Sequence, residues 1–243
     1  MNVFRKKLKI GILVSCFIGG ICCLTSSCTN ISNNQENTSS LEIKTKNDNT
    51  YSYASHLNLS EKELENLLTI KSQGNEYKLI PATDSDVHKD FWCNLVTTDE
   101  KYMQTFFLNR KLPSKSRVES QFNTKVKSMW KSSNQPDSLF FLVMLNGEYC
   151  GAIESAGLTD DETAYIGYIT KKEYSGQGVA TNALKIFVNL IRTLNDSNFY
   201  NVSNLSLWIF DSNKASINVA KKNGFVYAEA DAINKRSRYV LKI

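Results

Sequence analysis

The chain has 243 residues, 42% of them hydrophobic and 22% charged, which is the make-up of a folded globular protein with room for one sizeable domain. Four of its five net positive charges sit on Arg5, Lys6, Lys7 and Lys9, so the rest of the chain is near neutral and gives little reason to expect a nucleic-acid partner. Beyond the N-terminal cysteines only Cys93 and Cys150 remain, and with His56 and His88 they make no zinc-type spacing, so no metal is expected. Two buried thiols are the expected state of that pair, with a disulfide as the alternative.

Residues 1–28 have the layout of a secretory signal. A basic stretch, Arg5-Lys6-Lys7-Leu8-Lys9, precedes an apolar run from Ile10 to Leu24, and then come Thr25, Ser26, Ser27 and Cys28. The run is shorter than the roughly 20 residues a membrane-spanning helix needs. Small residues ahead of a cysteine resemble a bacterial lipoprotein cleavage box with Cys28 as the lipidated residue; Thr25 stands where a leucine is usual, and Leu24 is one place early. On that reading the chain is exported and membrane-anchored through its N-terminus. An uncleaved anchor, including one whose domain faces the cytoplasm, and an ordinary signal peptide are the alternatives. Residues 29–55 are rich in Asn, Ser and Thr and too poor in apolar side chains to offset their ordering entropy, as befits a flexible polar linker.

Residues 56–75 hold a short helix. Ser60-Glu61-Lys62-Glu63 is a capping box, Leu64, Leu67 and Leu68 share a face, and Gly74-Asn75 ends the helix. Residues 77–81 alternate as a strand. Helical patterns then run from Asp84 and Asp86 to about Trp130, broken near 97–99 and at Pro113, and Asn134-Gln135-Pro136-Asp137 is a turn. Strands at 139–145 and 149–156 are joined by Asn146-Gly147, a type I′ hairpin signal. A third strand covers 164–170. The helix at 179–195 keeps Ala180, Ala183, Leu184, Phe187, Val188, Ile191 and Leu194 at helical spacing. A strand at 205–210, a helix at 214–223 stopped by Gly224, and closing strands at 225–228 and 238–243 complete residues 76–243 as one mixed α/β domain.

The chemistry lies where the third strand runs into the long helix. Gly176 and Gly178 precede Val179, so main-chain N–H groups can approach a ligand closely at a helix start that already carries partial positive charge. Such a site suits phosphate oxygens. It is not a P-loop, because no G-x-x-x-x-G-K-[ST] is present, and it fits a dinucleotide fingerprint poorly, because Thr181 stands where a third small residue belongs.

In context the stretch resembles the acetyl-CoA motif of the GNAT N-acetyltransferases, Q/R-x-x-G-x-G/A. Gly178 and Ala180 match its last two fixed positions, and Ser175 replaces the usual Gln or Arg. Ile166-Gly167-Tyr168-Ile169 and Glu173-Tyr174 look like the branch that acetylates ribosomal-protein N-termini. A second family motif follows at Asp211-Ser212-Asn213-Lys214-Ala215-Ser216-Ile217, ending in Asn223-Gly224-Phe225, and residues 79–86 look like the family's first strand and turn.

The resemblance implies a GNAT fold: a mostly antiparallel central sheet with a splayed parallel strand pair, here 164–170 and 205–210, and helices on both faces. It implies acetyl-CoA as cosubstrate and a protein or small-molecule amine as acceptor. Ile169 and Lys171 would give main-chain groups to the pantetheine. Ser175, Gly176, Gln177, Gly178, Val179 and Ala180 would hold the pyrophosphate, and Asn213 and Ser216 would line the far side. Two catalytic positions depart from the family pattern: Tyr165 replaces the strand's usual glutamate, and Ala220 replaces the usual tyrosine acid. Glu154, Tyr165 and Tyr168 are the substitute candidates, with Glu162 behind them as a loop carboxylate. The opposing reading is a non-catalytic, membrane-anchored surface lipoprotein that keeps the fold.

Overall fold

A computed structural model describes residues 54–55, 57–98, 113–131, 135–159 and 162–243. Residues 1–53, including Cys28 and most of the expected linker, lie outside the described residues, as does the stretch 99–112. No helix of the described residues is long and apolar enough to cross a membrane.

Ser60 caps helix α1 (Glu61–Leu67) as its sequence demands, with its side chain accepting from the Glu63 N–H and the Glu63 carboxylate accepting from the Ser60 N–H. The helix is shorter than expected. Residues 69–72 leave it to form strand β1 (Thr69–Ser72), which pairs with β2 (Asn75–Pro81). Gln73 and Gly74 both take positive φ, +51° and +77°, and so make a tight hairpin turn where the sequence suggested a helix stop. Helix α2 (Asp86–Thr97) starts on Ser85, whose side chain accepts the His88 N–H. His88 Nδ1 accepts the Thr83 N–H at 3.0 Å, which leaves the ring proton on Nε2 to donate to the Tyr149 hydroxyl at 2.9 Å. That chain of bonds pins the start of α2 to the sheet.

Helix α3 (Lys115–Lys131) precedes the hairpin of β3 (Phe140–Leu145) and β4 (Glu148–Ala156), closed by Asn146 and Gly147 at φ +51° and +89° as their sequence predicts. Then come β5 (Thr163–Thr170), a single 3₁₀ turn at Lys172–Tyr174, α4 (Val179–Asp196), β6 (Asn204–Phe210), α5 (Lys214–Lys222), β7 (Val226–Asp231) and β8 (Arg236–Lys242). The sheet order is β1-β2-β3-β4-β5-β6-β8-β7, antiparallel throughout except for β5 and β6. This is the mixed α/β architecture with one parallel pair that the motifs imply.

Aromatic contacts show which helix covers which face. Phe141 meets Phe187 of α4 edge-on at 6.1 Å, while its neighbour Phe140 meets Trp92 of α2 at 5.2 Å and Phe122 of α3 at 5.8 Å. Successive strand residues point to opposite faces, so α4 lies on one side and α2 with α3 on the other. The stripe on α4 is buried through Leu184, Phe187 and Ile191, each stabilising the fold by about 1.5–3 kcal/mol. Cys93 and Cys150 are both free, buried thiols.

Candidate active site

The parallel pair holds for three residues only, Thr163 with Asn204, Ala164 with Leu205 and Tyr165 with Ser206. Beyond Tyr165 the strands part. Two local features steer β5. Cys150 is the extra residue of a bulge in β4, and Gly151 lets β5 approach so closely that a Cβ there would sit 2.5 Å from the Ile169 carbonyl oxygen.

The parting strands open into a cavity of about 580 Å³ on the α4 side of the sheet. One wall is the glycine loop. Gly176 and Gly178 have φ of +82° and +79°, a region costly for any residue with a Cβ. No side chain caps α4, so the N–H groups of Val179, Ala180 and Thr181 have no acceptor within the helix and face the cavity mouth. The loop is anchored from beneath by Tyr77, a buried residue of β2 whose hydroxyl donates to the Gln177 carbonyl at 2.8 Å. The facing wall is α5. Asn213 caps it by accepting the Ser216 N–H at 3.1 Å, and Asn223 Nδ2 donates to the Thr181 carbonyl at 3.3 Å, tying the two helices together. The described lining includes Lys214 and Lys222 and no carboxylate, so its field is positive and suits a polyanionic ligand.

Of the residues assigned to the cosubstrate from the motifs, Ile169, Ser175, Gly176, Gly178, Val179, Ala180, Asn213 and Ser216 line this cavity. Gln177 and Lys171 do not. The Gln177 side chain turns back to the Glu173 carbonyl, and its own carbonyl takes the Tyr77 hydroxyl. The Lys171 N–H donates to the Cys150 carbonyl at 2.8 Å, and the Ile169 carbonyl faces Gly151, so the main-chain groups of both turn toward β4. The alternation of an antiparallel ladder then turns those of Tyr168 and Thr170 into the opening. The expected main-chain contacts shift by one residue, a matter of register that motif matching does not resolve.

Tyr168 lines the cavity, and its hydroxyl donates to the Ser216 carbonyl at 3.1 Å across the opening. Burial pushes its phenol well above the usual range. As placed, it braces the cleft rather than presenting a proton. Glu154 and Tyr165 lie on the other sheet face: Glu154 sits opposite Gly167, and Tyr165 opposite Ala156. The Glu154 carboxylate is buried and paired with Lys125 of α3, whose ammonium lies 5.9 Å from both the Trp92 and Phe140 ring centroids. Burial raises the Glu154 carboxyl above the ordinary carboxylate range, and Lys125 pulls it partly back. Glu162 is exposed. Ala220 is wholly buried and offers no proton donor. No cluster of metal-ligating side chains occurs among the described residues. Tyr77 and Lys125 went unread in the sequence because no local pattern marks them.

A family model described as "Acetyltransferase (GNAT) domain" matches residues 78–226, more than half of the chain, and the chain therefore belongs to the GNAT acetyltransferase family. A search of curated proteins gave no match. Among solved structures, the microcin C7 self-immunity acetyltransferase MccE in complex with acetyl-CoA and AMP aligns with a TM-score of 0.55 at 18% identity, over 69% of this chain and 92% of that one. The ribosomal L7/L12 α-N-protein acetyltransferase RimL in complex with coenzyme A gives 0.57 at 17% identity, over 72% and 98%. Mycobacterium smegmatis RimJ in complex with a CoA disulfide gives 0.55 at 15%, over 69% and 81%. Identities this low establish a shared fold.

Proposed function

We propose that this chain transfers an acetyl group from acetyl-CoA to an amine. The observation that carries this is the cleft itself: two left-handed glycines opening an uncapped helix, set across a strand opening from an Asn-capped helix, in a positive lining without a carboxylate. On this reading the pyrophosphate takes the N–H groups at Gly176–Ala180, and the pantetheine runs along Tyr168 and Thr170 toward the opening. RimL and MccE, named for acetyl transfer, share the fold, as does RimJ in complex with a CoA disulfide. The amine nitrogen attacks the thioester carbonyl, the C–N bond forms and the C–S bond breaks. The amine's proton passes to a base and the thiolate takes up a proton. Glu154, held above the ordinary carboxylate range on the acceptor-side face, is the base this chain offers, with Tyr165 beside it in the row below. Isothermal titration of the full chain with acetyl-CoA tests the proposal. Micromolar binding supports it, and no binding at millimolar ligand overturns it.

The second reading, a non-catalytic surface lipoprotein with this fold, draws on Tyr165 and Ala220 at the two positions where the family resemblance implies a glutamate and a tyrosine. Acetyl-CoA binding without turnover on any amine would favour it. Either way we infer that Cys28 is lipidated and tethers the domain to a membrane, from the basic, apolar and small-residue order of residues 5–28. Labelled palmitate should enter the wild-type chain and not Cys28→Ala; label on the variant refutes the assignment.

A further inference from the structure

Two bonds orient α5 along the cavity. Asn223, at its C-terminal end, donates to the Thr181 carbonyl in the first turn of α4 at 3.3 Å, and the Tyr168 hydroxyl on the Ser216 carbonyl at 3.1 Å holds its N-terminal half against β5. The C-terminal end of α5 therefore lies beside the start of α4, where the nucleotide end of the cosubstrate would sit, and its N-terminal half lies along the strand that would take the pantetheine. Ala215, Asn218, Val219 and Lys222 all line the cavity at spacings of three or four residues, so one face of α5 is turned inward. Lys222 stands on that face, next to Asn223. Lys214 also lines the cavity, about 12 Å away along the helix axis. Both lysines are exposed, and among the described residues neither makes an ion pair.

The glycine loop already offers the pyrophosphate its main-chain donors, and the pantetheine arm is uncharged. Neither accounts for an unpaired ammonium at the C-terminal end of α5. Coenzyme A carries one more anionic group at its nucleotide end, the phosphate on the ribose 3′ oxygen, which is close to doubly charged at neutral pH and has three acceptor oxygens. A lysine suits it, because a point charge on a flexible stem can follow a phosphate that no main-chain donor fixes. We propose that Lys222 binds this 3′-phosphate, so that the chain selects a 3′-phosphorylated acyl donor over its dephospho form. Lys214, at the pantetheine end, adds only to the general positive field, which acts on the pyrophosphate that both forms share. The proposal deepens the acetyl-transfer reading and rests on it. The pair of Lys222 with the phosphate is open to water, so its effect is modest and is screened by salt.

Calorimetry of the full chain with coenzyme A and with dephospho-coenzyme A tests this on wild type, Lys222→Ala, Lys222→Arg and Lys214→Ala. Both lysines are exposed on a helix, and alanine and arginine are good helix formers, so the variants should fold as wild type does. Wild type should bind coenzyme A about fivefold more tightly than the dephospho form at low salt, and the ratio should shrink as salt is added. Lys222→Ala should bring the ratio to about twofold or less by weakening coenzyme A alone. Lys222→Arg should keep most of the ratio, because the charge remains. Lys214→Ala should weaken both ligands alike and keep the ratio. Equal binding of the two ligands by wild type overturns the proposal. So does a Lys222→Ala variant that weakens both equally, which would move the ammonium to the pyrophosphate, and so does loss of the ratio in Lys214→Ala instead. Those outcomes leave the acetyl-transfer reading standing, whereas failure of wild type to bind either ligand overturns both.

Discussion

Gly178 stands at φ +79°, and a Cβ on it would lie 3.2 Å from Asn182 Nδ2 and 3.3 Å from the Tyr77 hydroxyl. Backbone strain for any L-residue is about 1–2 kcal/mol there, and relief means turning the loop's N–H groups off their common target. Gly178→Val is therefore expected to weaken acetyl-CoA binding by more than about tenfold, a loss of at least about 1.4 kcal/mol by calorimetry; unchanged affinity would misplace the phosphate site. Tyr77→Phe asks a gentler question. It removes one hydroxyl and leaves the Gln177 carbonyl without that donor, at about 1 kcal/mol of stability. Because the lost bond holds the loop from beneath, a severalfold rise in Kd for acetyl-CoA with little change in KM for the amine is expected. The glycine was legible in the sequence because its conformational need is local. The tyrosine was not, because it lies 100 residues from the carbonyl it holds.

Helix α3 meets strand β4 through Lys125 and Glu154, a pair buried to 13% and 10% side-chain exposure. Breaking such a pair from one side leaves an uncompensated buried charge and costs about 3–5 kcal/mol, whereas replacing both partners with apolar side chains is often near neutral. Lys125→Met should thus destabilise the fold strongly, and the double variant Lys125→Met/Glu154→Leu should recover most of the loss in urea unfolding. The pH dependence has a definite sign. Without Lys125 only burial acts on the Glu154 carboxyl, so its folded pKa rises further above the unfolded value. A carboxyl raised in this way carries no penalty below the unfolded pKa, and stability falls as pH rises toward the folded pKa. Lys125→Met should therefore lose less stability relative to wild type at pH 4 than at pH 8; a pH-independent loss would mean that Glu154 is not the group left behind. At this scale the sequence was a partial guide. The capping box starts α1 as the sequence predicts, but Gly74-Asn75, which reads as the end of that helix, belongs to a hairpin that turns at Gln73-Gly74, because a Gly stops a helix and turns a hairpin with the same positive φ. The hairpin is favoured because β1 gains a full ladder along β2.

The whole sheet separates two approaches. The glycine loop and α5 open on the α4 face, while Glu154 and Tyr165 lie on the other, and only the parting of β5 from β6 joins them. Motif order along the chain revealed the first side, since the loop and its helix are contiguous. The second side is assembled from β4, β5 and α3, and no local spacing announces it. This arrangement suits a ternary complex in which both substrates are bound before chemistry and the amine attacks directly. A covalent route needs a nucleophile at the opening, and the described cysteines do not supply one. Cys93 and Cys150 are buried, and burial pushes the Cys150 thiol up to about 12, far from the thiolate that would react. With an acetylated amine in hand, initial rates at several fixed acetyl-CoA concentrations should give intersecting double-reciprocal lines, and iodoacetamide should not inactivate the chain. Cys150→Ala should keep kcat within about twofold while losing roughly 1 kcal/mol of stability from the small cavity it leaves. Parallel lines with acetyl label retained on the protein after removal of the amine would point to an acyl-enzyme instead, and the two faces of the sheet would then have to be used in turn.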